Sequence, residues 1–105
     1  MNALPAHDIR QEPDAPLDHL TPAMRACLLD LAKGPMARIE GKVDREPEGY
    51  AREGGRIFPV DVIDALAARG LARKSVLFGI PPYRIAYLAP EGVWTIRTIL
   101  RRSHV

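Results

Sequence analysis

Cysteine occurs once, at position 27, so no internal disulfide can staple this chain, and the expectation is a reducing, cytoplasmic compartment. Aromatic residues are nearly as scarce, with one Trp, three Tyr and two Phe among 105 residues. No apolar run approaches the roughly 18 residues of a membrane helix. No basic patch followed by an apolar stretch opens the chain, so neither a membrane partner nor a secretory signal is expected. Histidine is thin as well. His7, His19 and His104 stand apart, with no i, i+4 pairing and no cysteine partner, which argues against a metal site. Nucleophile–histidine pairs and glycine-rich phosphate loops are missing too, so no catalytic residue and no cofactor is expected.

Proline is plentiful instead. Ten prolines are about twice the usual share and keep several stretches out of regular structure. An apolar fraction of 47% with 27% charged residues describes one globular domain with a modest core. The net charge of +2 conceals an uneven distribution. Residues 1–20 set four acids against Arg10, and residues 21–68 are nearly balanced. Residues 69–105 set Arg69, Arg73, Lys74, Arg84, Arg97, Arg101 and Arg102 against Glu91 alone. Clustered cations favour a polyanionic partner, the plainer alternative being a solvated basic face.

Residues 1–19, with Pro5, Pro13 and Pro16 and no period, read as a flexible acidic arm preceding a domain over 20–105. Such an arm can fold back on the basic block. Thr21-Pro22 opens a helix that runs to about Lys33 and stops at Gly34-Pro35, with Met24, Cys27, Leu28 and Leu31 on one face. Cys27 is thereby expected in the core. Met36–Val43 reads as a short strand, and Asp44–Arg56 mainly as loop, with room for one helical turn at Pro47. Pro59–Arg69 is a second helix stopped by Gly70. Leu71–Phe78 and Arg84–Leu88 form a hairpin, and Pro90–Arg102 a last helix.

This order resembles a winged helix-turn-helix domain, most like the MarR-type transcriptional regulators. Leu20-Thr21-Pro22-Ala23 is similar to that family's first-helix start. Ala65-Leu66-Ala67-Ala68-Arg69-Gly70-Leu71-Ala72-Arg73 looks like the end of its recognition helix, and Tyr83 to Gly92 like its second wing strand entering the last helix. Ala89 stands where a capping threonine is usual, a loss of about 1 kcal/mol. The resemblance implies an α+β fold of about three helices with a small antiparallel sheet and hairpin wing. It also implies double-stranded DNA as partner and a homodimer regulating transcription. Candidate nucleic-acid contacts are Arg38, Arg56, Arg69, Arg73, Lys74 and Arg84, with the helix in the major groove. Candidate dimer residues are Val93, Trp94, Ile96, Ile99 and Leu100.

Two features point elsewhere. The recognition helix displays Asp61 and Asp64, which repel phosphate and, with no base or nucleophile nearby, read as a solvated helix face. The hairpin tip, Phe78-Gly79-Ile80-Pro81-Pro82-Tyr83, is apolar where a DNA-binding wing is usually basic. The second expectation is accordingly a protein-interaction module that docks a protein at Phe78 and Tyr83 and along the acidic helix face. Convergence of the basic side chains on one surface favours DNA; their scatter favours the interaction module.

Overall fold

The computed structural model describes residues 13–40, 48–80 and 82–103. They form an α+β fold in the order α1 (Pro22–Leu31), β1 (Met36–Ile39), β2 (Gly49–Ala51), α2 (Val60–Ala68), β3 (Ala72–Leu77), β4 (Tyr83–Leu88) and α3 (Pro90–Ser103). The four strands make one antiparallel sheet in the order β2-β1-β4-β3.

Local chemistry accounts for the helix boundaries. Thr21 caps α1, its hydroxyl accepting from the Met24 amide at 3.2 Å, and Pro22 occupies the first turn, where no N–H is needed. Gly70 ends α2 in the left-handed region at φ +75°, allowing the Leu71 amide to reach back to the Leu66 carbonyl at 3.0 Å. Gly92, in the first turn of α3, answers a packing demand. A Cβ there would lie 2.4 Å from the Leu71 carbonyl oxygen and 2.6 Å from a Leu88 methyl carbon, so glycine alone lets α3 press against the α2–β3 junction.

One core joins these elements. Met24, Cys27, Leu28 and Leu31 of α1 meet Ile63 and Leu66 of α2, with Ile96 and Ile99 of α3 and Met36, Tyr50, Phe58, Ala72 and Ala86 from the sheet side. Fully burying a side chain such as Leu28 contributes about 1.5–3 kcal/mol. Cys27 lies inside this core as expected, and burial pushes its thiol up to about 12, Asp30 adding to the rise and Arg56 opposing it. Arg52 and Asp30, at 2.7 Å, tie the loop after β2 to α1. Among the described residues no helix is long and apolar enough to cross a membrane.

Three expectations change. The stretch from Asp44 to Arg56 is not all loop. Gly49–Ala51 is a strand, paired through Ala37 with Ala51, Arg38 with Tyr50 and Ile39 with Gly49. Burial of Tyr50 and its bridge to Phe58 hold this strand in place, neither of which local composition reveals. The possible helical turn at Pro47 and the strand end at Val43 lie outside the described residues. Second, residues 13–19 do not behave as a flexible arm. Ala15 and Leu17 are buried, and the Ala15 amide donates to the Thr98 hydroxyl at 2.8 Å. The Trp94 indole N–H donates to the Pro13 carbonyl at 2.8 Å, and Asp14 pairs with Arg101 and Arg102 at 2.8 and 3.2 Å. A buried hydrogen bond, two apolar anchors and the Asp14 ion pairs offset the entropy of ordering the segment, which Pro13 and Pro16 already reduce. Third, Ile96 and Ile99 are spent on the chain's own core and offer nothing to a second copy.

Candidate functional site

The sheet has two faces, and its register assigns every strand residue to one of them. Directly opposed residues share a face, so Ala72 goes with Leu88, Lys74 with Ala86 and Val76 with Arg84 on one side. Met36, opposite Ala86, and Tyr50, opposite Arg38, belong to that same side. It is the inner face, covered by α1 and α2. Arg73 with Tyr87, Ser75 with Ile85 and Leu77 with Tyr83 lie on the outer face, together with Ala37 and Ile39 of β1.

Beyond the core, the inner face turns polar. Arg38, Lys74 and Arg84 stand there, Lys74 against α2, and Tyr50, Lys74, Val76 and Arg84 line an open cleft of about 300 Å3. Most of this charge is already matched. Lys74 donates to Asp64 of α2 at 2.6 Å, and that hydrogen bond raises the lysine pKa above its ordinary value. Arg38 pairs with Glu48 at 3.0 Å and also donates to the Ile39 and Gly49 carbonyls. Neither Arg73 nor Arg84 is ion-paired among the described residues.

The other candidate contacts are dispersed. Arg56 lies over the Phe58 ring, 4.3 Å from its centroid. Arg69 donates to the Ala65 carbonyl at the end of α2. There it borders a second cavity of about 260 Å3, between α2, α3 and residues 15–19, with His19, Leu71, Glu91 and Trp94. Arg101 and Arg102 are held by Asp14, and their guanidinium groups keep its carboxyl below the usual carboxylate value. The structure thus brings Arg38, Lys74 and Arg84 together and places Arg56, Arg69 and Arg73 elsewhere. Asp61 and Asp64 are exposed on α2, as the sequence suggested.

Apolar exposure concentrates on the hairpin. Phe78 and Ile80 stand fully in solvent at 106% and 103% of their reference areas, and Val76, Leu77, Tyr83 and Tyr87 are exposed below them. An isolated exposed apolar residue is ordinary, but a contiguous apolar projection on a small domain marks an interaction surface. On α3, Val93, Trp94 and Leu100 remain exposed while Ile96 and Ile99 do not. Thr98 escaped sequence reasoning. It is fully buried and takes the Ala15 amide, yet in the sequence it reads as a solvent-facing threonine among arginines. No protein-family model matches the chain, and neither a characterised protein nor a solved structure matches it.

Proposed function

We propose that the chain is a winged-helix protein-interaction module whose working surface is the apolar β3–β4 hairpin, with the acidic side of α2 beside it. The succession of α1, α2, the hairpin and α3 suits a winged helix in which the β1–β2 pair stands where a helix usually precedes the recognition helix. The single observation that carries the functional reading is the complete exposure of Phe78 and Ile80 at the hairpin tip. Burying such side chains against a partner contributes about 1.5–3 kcal/mol each. The scatter and pairing of the basic residues support the same reading. Asp61, exposed on α2 while Asp64 is held by Lys74, favours a partner segment that carries a cation next to its apolar residues.

A photo-cross-linking side chain placed at Phe78 in cells is expected to give a discrete protein adduct, lost when Tyr83 is also changed to serine. Absence of any adduct overturns the proposal. Duplex DNA is the second reading, favoured by one observation: Arg38, Lys74 and Arg84 share the inner face of the sheet. A random duplex titrated at low salt decides between the two. No retention is expected. Retention that falls steeply as salt rises, with a slope of about one per phosphate contacted, replaces the interaction reading with the DNA one.

A further inference from the structure

Among the described residues no helix covers the outer face of the sheet, where Leu77, Tyr83 and Tyr87 are exposed and Ala37, Ile39 and Ile85 half-buried. Ala37 and Ile39 of β1, Leu77 of β3, and Tyr83, Ile85 and Tyr87 of β4 lie on it together, and none of the six belongs to the core or packs against it. The core draws its helical residues from α1, α2 and α3 and its sheet residues from the inner face. Sheets that leave one face in water normally carry polar residues there. Among these strands' outer residues Arg73 is the one charge.

We infer that a second copy of this chain covers that face, the two sheets packing against each other as a sandwich with their hairpin tips included. The inference rests on the interaction reading at the hairpin and names its partner there; the acidic side of α2, on the other side of the sheet, takes no part in it. Three observations favour a copy over an unrelated protein. The first is composition. Interfaces made and broken with changing partners are about as polar as ordinary surface, whereas permanent homodimer faces resemble a core cut in half. Six apolar residues with only Arg73 and Ser75 as polar side chains among them belong to the second kind. A face that needs permanent cover also needs a partner always present at equal concentration, which a second copy supplies.

The second is area. At 150–250 Å2 per fully buried aromatic, the exposed fractions of Tyr83 (53%) and Tyr87 (37%) on the face amount to roughly 130–230 Å2, and Phe78 (106%) at the hairpin tip adds roughly 160–260 Å2. Leu77, Ile80, Ile85 and Ile39 add to this, approaching the roughly 800 Å2 per partner of a standard interface. The third is charge. Arg73 lies on β3, at one edge of the sheet, and β2 forms the other edge. A two-fold axis running along the strands between β1 and β4 lays each β3 over the partner's β2. The two copies of Arg73 then sit on opposite rims, far from each other, and no like charges meet.

Analytical ultracentrifugation of the full chain tests this. The wild type is expected at twice the chain mass of 11.6 kDa. Ile85→Lys is expected to halve that mass with an unchanged far-ultraviolet spectrum. Tyr87→Lys, at a more exposed position, serves the same purpose should the first variant fail to fold. Leu100→Glu, on the exposed side of α3, is expected to leave the dimer intact. Wild type at the single-chain mass at every concentration up to its solubility limit overturns the inference. So does a dimer that Leu100→Glu dissociates and Ile85→Lys and Tyr87→Lys do not. A monomeric wild type that still cross-links from Phe78 to a different protein removes the self-pairing and leaves the interaction reading standing. A monomer with no adduct removes both.

Discussion

The two faces of one small sheet are built from similar residues and meet different fates. On the inner face Met36, Ala72 and Ala86 lie beneath α1 and α2, and Tyr50 closes on Phe58. On the outer face Ile39, Ile85, Leu77 and Tyr87 have comparable apolar character and, among the described residues, no helix above them. The difference lies in the connections rather than in the strands. Both α1 and α2 pack on the inner side, and α3 continues from β4 back toward α1, so among the described residues no helix is left for the outer side. An apolar strand face is therefore no guide to the interior of its own chain; which side the helices take decides that.

The sharpest way to expose this contrast is a matched pair of truncations. Phe58→Ala and Leu28→Ala, both at fully buried positions, are expected to cost about 3–5 and 2–5 kcal/mol respectively in urea unfolding. Ile85→Ala, measured in dilute solution where copies are apart, is expected to cost less than about 1 kcal/mol. Equal costs would mean that the outer face is covered within the chain, contrary to its packing.

Next in size is the alkaline response of the inner side. The thiol of Cys27, ordinarily near 9, titrates only near 12 in the folded chain. A raised folded-state pKa contributes stability that is complete below the unfolded value. That contribution is expected to be lost as pH rises from about 9 toward 12. Thiol reagents should leave Cys27 unlabelled in the native protein at neutral pH and react once urea unfolds it, whereas a cysteine placed at Tyr87 labels at once in the monomer.

A smaller effect belongs to residues 13–19, which cover part of α3 much as a second copy is inferred to cover the sheet. Asp14 titrates below its ordinary 3.8 because Arg101 and Arg102 hold its charged form. Its contribution is present above that value and lost as pH falls through the depressed pKa. Acidification below about pH 3.8 is expected to release the segment, and Asp14→Asn to loosen it at neutral pH. Trp94, the single tryptophan, reports either event through its fluorescence, since its indole bonds the Pro13 carbonyl. Unchanged emission in the variant would show that Ala15 and Leu17 suffice. The smallest change is expected from Lys74→Ala. Its partner Asp64 is half exposed, and exposed pairs contribute about 0–1 kcal/mol.

The elements legible in the sequence were those with a period or a stop signal of their own. Thr21-Pro22 and Gly70 carried the ends of α1 and α2, and the alternating strands of the hairpin were visible with their apolar tip. Strand β2 was hidden because three residues starting with glycine have no pattern, and their place depends on Tyr50 finding Phe58 and β1. The packed segment at 13–19 was hidden because Pro13 and Pro16 signal irregular backbone, and irregular backbone can still be anchored. At the candidate site the exposed tip and the acidic α2 face were legible. The pairing of Lys74 with Asp64 and of Arg38 with Glu48 was not, since each joins residues ten apart on different elements or loops.

By itself the sequence determined one small domain with a single core cysteine, three helices, an apolar-tipped hairpin and a basic C-terminal third. Those follow from composition, short-range spacing and backbone sterics, which act within a few residues. Only the tertiary structure decided that the basic third is divided among two sheet faces, the end of α2 and the acidic segment at Asp14. It alone decided that Ile96 and Ile99 face inward and that no described helix covers the apolar outer face of the sheet. Side-chain partnership across dozens of residues is set by how the elements pack, and no local pattern carries that information.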